Sequence, residues 1–241
     1  MSMKLTSVMT LSGVLMLSGS VLAQEHTAKA SEWTPAELKA TLTAMPKGDA
    51  ARGKQLNQDM MCASCHGEAG QGLTRNWPST AGQRVEYTYK TLLDYAQGRF
   101  AQHRGAGAMA AAASMLTHQQ MADLAVYYAA QSSPTASVKP ELSKADHKNA
   151  DIIVRHGDAK RLITPCASCH GVKGEGGINE TPALAGQEVL HFERTMQAYK
   201  QSTRASDSNG MMRMIASNLT DDEIKSLAAY YANLPAQKGK N

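Results

Sequence analysis

At 241 residues the chain is long enough for one large domain or two small ones. Its formal net charge of +4 comes without any Lys/Arg run, so the basic balance is not read as a sign of nucleic-acid binding. Aromatic residues are scarce, with 8 Tyr, 2 Trp and 2 Phe, so a core of this composition needs another bulky filler or many small aliphatic side chains.

Residues 1–23 read as a secretory signal. Lys4 is their only charge, an apolar stretch runs from Val8 to Leu22, and Val21-Leu22-Ala23 forms a small-x-Ala cleavage site before Gln24. Ser12, Gly13, Ser18 and Gly19 interrupt the stretch, which argues against a stable membrane span. Cleavage after about Ala23 leaves a charge of +3 and predicts a periplasmic protein. Residues 24–47 form an N-terminal extension. Within it Thr34 as N-cap and Pro35 at the first helical position predict a short helix to Ala44. The extension as a whole is expected to be a solvated tail, with covering a haem edge or docking a partner as the alternatives.

From residue 48 the chain is written twice. The first unit, 48–135, opens with a helix expected to start near Asp49 and lead into Cys62-Ala63-Ser64-Cys65-His66. Pro78 and Ala81-Gly82-Gln83 follow, then a helix from about Val85 to Tyr95. Met109 comes next, and then Leu116. Thr117-His118-Gln119-Gln120 is a capping box opening a last helix, with Met121, Leu124, Ala125 and Tyr128 at helical spacing. Ser132-Ser133-Pro134-Thr135 and Lys139-Pro140 break any helix and mark a linker.

The second unit, 136–241, repeats the order 104 residues on. It has a helix expected near Asp158, then Cys166-Ala167-Ser168-Cys169-His170, Pro182 and Ala185-Gly186-Gln187, and a helix from Val189 to Tyr199. Met212, Leu219 and the capping box Thr220-Asp221-Asp222-Glu223 follow with one residue fewer between. Duplication of a unit of roughly a hundred residues accounts for this pattern. No stretch alternates with a strand period, so the predicted fold class is all-α, in two tandem helical domains.

Cys-x-x-Cys-His is the chemistry-bearing motif. Two thiols one turn apart can add across the vinyl groups of a haem, and the next residue then offers its imidazole to the iron. A redox dithiol would sit near a βαβ pattern, which is absent. A zinc site would not need the adjacent histidines, nor would structural disulfides place a His at the same position in both copies. Two covalently attached haems c are therefore expected, at Cys62/Cys65 and Cys166/Cys169, with His66 and His170 as proximal iron ligands. Pro78 and Pro182 offer backbone carbonyls that could orient those imidazoles.

The sixth ligands are expected to be Met109 and Met212, the methionines that keep the two copies in register. Each lies seven residues before the Leu preceding the last cap, in what reads as a loop before the final helix. Met115 stands near the first and Met211 and Met214 beside the second. His103 is the main rival in the first copy, while His118 and His191 read as surface or helix residues. A thioether favours ferrous iron and closes the iron to substrate, so the chemistry is electron transfer rather than catalysis.

With these residues in place the chain resembles class I cytochromes c, and more narrowly the dihaem cytochrome c4 family. The resemblance rests on the paired CxxCH motifs, the Pro-x-x-Ala-Gly-Gln stretches at 78–83 and 182–187, and the Met-x6-Leu-Ser/Thr-type segments with Tyr-containing last helices. It implies two cytochrome c domains about a pseudo-twofold axis, each wrapped around one haem. It also implies a periplasmic shuttle from a quinol-oxidising complex toward a terminal oxidase or reductase. Peripheral membrane contact and a monomer or weak dimer are compatible with it. By the same resemblance Met109 and Met212 are the distal ligands, and Pro78 and Pro182 hold the proximal histidines. Thr80, where the second copy has Leu184, departs from the pattern and predicts a more polar first pocket. The competing readings are a dihaem enzyme with one open iron, and a cytochrome subunit of a periplasmic dehydrogenase docked through residues 24–47.

Overall fold

A computed structural model describes residues 32–100, 106–132, 135–178 and 180–235. The expected signal sequence and cleavage site, and His103, lie outside these residues. Among the described residues the regular structure is helical, and no helix is long and apolar enough to cross a membrane.

The first half contains α1 (Pro35–Thr43), α2 (Ala50–Asp59), the one-turn α3 (Ala63–His66), α4 (Val85–Ala96), α5 (Ala106–Ser114) and α6 (His118–Ala129). The predicted caps are in place. Thr34 accepts from the Glu37 N–H with Pro35 behind it, Asp49 accepts from the Arg52 N–H, and Thr117 and Gln120 close a reciprocal capping box. α6 is the central element. Met121, Ala122 and Ala125 pack with Tyr89 and Leu93 of α4, while Leu124, Tyr127 and Tyr128 take Leu56 of α2. The α2–α6 crossing is close because residue 53 is glycine. A Cβ there would lie 2.1 Å from the Asp123 carbonyl oxygen and 2.6 Å from the Tyr127 Cβ.

The second half repeats this plan with α7 (Lys144–His156), α8 (Cys166–His170), α9 (Val189–Lys200), α10 (Met211–Asn218) and α11 (Asp221–Asn233). The Thr220/Glu223 capping box opens α11, which buries Ile224, Leu227, Ala228 and Tyr231 against Val154, Phe192 and Ile215. Each such large side chain contributes about 1.5–3 kcal/mol of transfer free energy.

Three expectations are corrected. The helix preceding the second motif does not start near Asp158. It is α7, capped by Ser143 and finished by His156. Asp158 caps only a 3-10 turn, Ala159–Arg161, and its backbone pairs with Ile163 in both directions at 2.8 and 2.9 Å. This closed loop has no counterpart between α2 and α3, and it displaces the helix toward the N-terminus. The methionines are not in loops either. Met109 lies in α5, where an alanine-rich run favours helix, and Met212 lies in the first turn of α10 after a left-handed Gly210.

Residues 32–43 are no solvated tail. Trp33 is 3 % exposed and Leu38 4 %. The Trp33 indole N–H donates to Asp94 Oδ1 at 2.5 Å, and the Arg99 guanidinium lies 4.0 Å from its ring centroid. On the other side, Glu32 pairs with Arg213 of α10 through both carboxylate oxygens. Residues 32–43 thus form a strap anchored on both halves. The physical reason is the tryptophan, whose burial outweighs the entropy of ordering a short terminal segment.

The halves meet through polar contacts repeated about the duplication. Gln187 Oε1 accepts from the Ser79 N–H at 3.0 Å and its Nε2 donates to the Ser79 carbonyl at 3.1 Å. Gln83 does the same to Ala183, at 2.7 and 3.1 Å. Lys90 of α4, buried and paired with Asp94 at 2.7 Å, also donates to the Ser206 carbonyl at 2.6 Å. Within the second half, Ser137, just past the linker, ties to the Glu188 carboxylate through its N–H and hydroxyl, both at 2.7 Å.

Candidate functional site

Each CxxCH segment forms one helical turn, which sets both cysteines and the histidine around a single short axis. The turns end at Gly67 and Gly171, whose φ values of 84° and 81° let the chain reverse where a side chain would be strained. No disulfide joins any two of the four cysteines. Cys62, Cys65 and Cys166 are half-buried and Cys169 is exposed. Burial pushes the Cys62 and Cys166 thiols up from their ordinary value. Among the described residues no three His, Cys, Asp or Glu side chains converge on one point.

The histidines are buried, at 6 % and 7 % exposure. His66 Nδ1 lies 3.0 Å from the Pro78 carbonyl oxygen, and His170 Nδ1 lies 2.9 Å from that of Pro182. A carbonyl can only accept, so Nδ1 carries the proton and Nε2 is left with its lone pair. Burial lowers the pKa of both imidazoles, with the proline carbonyls opposing it, which keeps the rings neutral. A neutral, oriented imidazole with a bare Nε2 is the form that ligates iron.

Behind each motif stands a tyrosine of the last helix. Tyr128 is buried and donates to Asn57 Oδ1 at 2.6 Å. The hydroxyl of Tyr231, its repeat mate, is buried with no such partner and lies beside the Cys166 thiol. Burial raises the pKa of both phenols, so both stay protonated.

Among the described sixth-ligand candidates, Met109 and Met212 are half-buried, and Met212 packs against the second core. Their rivals point outward, with Met115 65 %, Met211 46 % and Met214 41 % exposed. His118 is held by the Tyr89 hydroxyl at 3.2 Å. Sequence reasoning found the motif residues but missed Gln83 and Gln187. They were visible as part of the repeated Ala-Gly-Gln, with nothing in one copy to say that each reaches into the other.

Paired thiols and a locked imidazole, repeated in two helical halves, are the donor set of a dihaem c-type cytochrome. The Cytochrome c family matches twice, over residues 50–131 and 157–235. A cytochrome c4 from Thiocapsa roseopersicina is 35 % identical over 176 residues, covering 72 % of this chain and 87 % of that one. A thiosulfate dehydrogenase electron acceptor from Stutzerimonas stutzeri is 30 % identical over 86 % of this chain and 96 % of its own. The crystal structure of reduced cytochrome c4 from Pseudomonas stutzeri superposes with a TM-score of 0.68 at 25 % identity, covering 78 % of this chain and all of that one. The chain belongs to the cytochrome c family and, within it, to the dihaem cytochromes c4. It carries two covalently bound haems c and transfers electrons.

Proposed function

We propose that this protein is a periplasmic shuttle passing single electrons between redox proteins, with residues 48–135 and 136–241 as its two haem domains. The observation that carries the residue assignment is the repeated imidazole-to-proline hydrogen bond, His66 to Pro78 and His170 to Pro182. In this reading Cys62 and Cys65 hold the first haem and Cys166 and Cys169 the second. His66 and His170 are the proximal ligands, and Met109 and Met212 the distal ones. Bound haem supplies a reversible one-electron change at iron. The chain holds the imidazoles neutral and oriented, and its thioethers favour the ferrous state. The last-helix tyrosines and the aliphatic cores keep water from that side of each site.

The donor side of the shuttle is a dehydrogenase or a quinol-oxidising complex, and the acceptor a terminal oxidase or reductase. The likeness to thiosulfate dehydrogenase electron acceptors supports a dehydrogenase as donor. The net charge of +3 left after cleavage at about Ala23, offset by haem propionates, suits brief contacts with partners of either sign rather than a permanent complex.

The test is the optical spectrum of the ferric protein, in the weak red band of a Met sulfur–iron bond. Wild type shows the band for two sites, and Met109→Ala and Met212→Ala each remove half of it. A high-spin haem in wild type would move the reading to an enzyme with an open iron.

A further inference from the structure

The peptide group joining Pro78 to Ser79 has both of its polar atoms committed, to opposite halves of the molecule. Its carbonyl oxygen accepts from His66 Nδ1–H at 3.0 Å. Its N–H donates to Gln187 Oε1, from the second half, at 3.0 Å. The peptide joining Pro182 to Ala183 is used in the same way, by His170 at 2.9 Å and by Gln83 of the first half at 2.7 Å. The orientation of each glutamine amide is fixed by its partners. A backbone N–H can only meet Oε1, and the carbonyls of Ser79 and Ala183 can only meet Nε2, as they do at 3.1 Å. Each Oε1 also accepts the N–H of its own following residue, Arg84 or Glu188, at 2.9 Å. That second bond holds the amide at the foot of α4 or α9.

We infer that Gln187 tunes the haem held by His66, and Gln83 the haem held by His170, each across the domain interface through the proline peptide. A peptide group is planar and conjugated. Drawing on its N–H shifts electron density toward its carbonyl oxygen and makes that oxygen a better acceptor, the cooperative strengthening expected in hydrogen-bond chains. A better acceptor on Nδ1–H gives the imidazole more anionic character and makes Nε2 a stronger donor to iron. That stabilises ferric over ferrous iron and lowers the potential. The two glutamines are positioning residues, acting on the iron ligand through a shared peptide. Their crossed arrangement ties the potential of each haem to the seating of the other half. A partner that loosened the interface would raise both potentials at once.

The inference rests on His66 and His170 being the proximal ligands. It is tested on the dihaem protein with Gln187→Met and Gln83→Met, and with Gln187→Asn and Gln83→Asn, whose shorter amides cannot span the gap. Haem-resolved redox titration by NMR follows the axial Met methyl signals, each assigned by its loss in Met109→Ala or Met212→Ala. The Nδ1–H proton signals of the two ligand histidines are read in the reduced state. Haem content and circular dichroism certify that each variant is folded.

The expected pattern is crossed. Substituting Gln187 raises the potential of the His66 haem and moves the His66 Nδ1–H signal upfield, with the larger shift on that haem. Substituting Gln83 does the same to the His170 haem. Equal shifts of both haems in every variant, a larger shift on the glutamine's own haem, or no shift overturns the inference while leaving His ligation standing. Absence of ligand-histidine Nδ1–H signals from wild type overturns the ligand reading, and the inference with it.

Discussion

Trp33→Ala removes the side chain on which the N-terminal strap is docked. The ring is 3 % exposed, and truncating a buried tryptophan to alanine costs about 3–5 kcal/mol. Part of that total is the hydrogen bond to Asp94. Asp94 is 1 % exposed and also holds Lys90 at 2.7 Å, so losing the indole donor alone costs about 1–3 kcal/mol. Trp33→Phe keeps most of the packing and removes only the donor. The two variants therefore separate the terms, with about 1–3 kcal/mol for Phe and 3–5 kcal/mol for Ala. The assay is urea unfolding of the holoprotein, followed by far-UV circular dichroism and the Soret band. With two halves that can unfold separately, the loss appears first in the transition of the half carrying α4. An Ala variant that costs less than about 1 kcal/mol refutes the reasoning, because the strap would then be lying on the surface rather than closing it.

Acid unfolding offers a second test. Burial raises the Asp123 pKa, but hydrogen bonds from Arg52, Gln119 and the Asp49 N–H outweigh it and hold the carboxyl below its ordinary range. A depressed folded pKa contributes stability that is present above the unfolded value of about 3.9 and lost as pH falls through the folded value. Asp123→Asn therefore lowers stability at neutral pH and flattens its decline below about pH 4. Gly53→Ala destabilises by about 1–3 kcal/mol in a denaturant titration despite alanine's better helix propensity, because its Cβ meets the Asp123 carbonyl at 2.1 Å. The paired tyrosines part company. Tyr128→Phe strands Asn57 and costs about 1–3 kcal/mol, whereas Tyr231→Phe, whose hydroxyl has no such partner, is neutral or stabilising in the same thermal melt.

The features legible in the sequence were those fixed by local chemistry and by repetition. The caps at Thr34, Asp49, Thr117 and Thr220 are short-range hydrogen bonds, and they stand where the sequence puts them. The duplicated CxxCH and Pro residues located the histidine–carbonyl pairs. What could not be read depended on contacts between distant positions. Asp158 looks like a cap and is one, but for a 3-10 turn in a closed loop; the helix it seemed to open had already run from Ser143. A glycine-flanked methionine reads as loop until the alanines around Met109 are allowed to win. The extension was misjudged because Asp94, Arg99 and Arg213, the residues that bury or hold it, lie 61 or more positions away. The interface glutamines were hidden for the same reason, since each bonds a backbone 100 or 108 residues distant.

The strap also sets an order of assembly. Glu32 and its partner Arg213 are 181 positions apart, and Trp33 needs α4 in place. The segment precedes both halves in the chain and can seat itself only after both have collapsed and come together. Closing so long a loop is affordable only once the intervening chain is already folded. A molecule that fails to complete one half keeps a loose, tryptophan-bearing end, open to proteases that a finished molecule denies. The N-terminal strap is thus a seal of completion, fastened last.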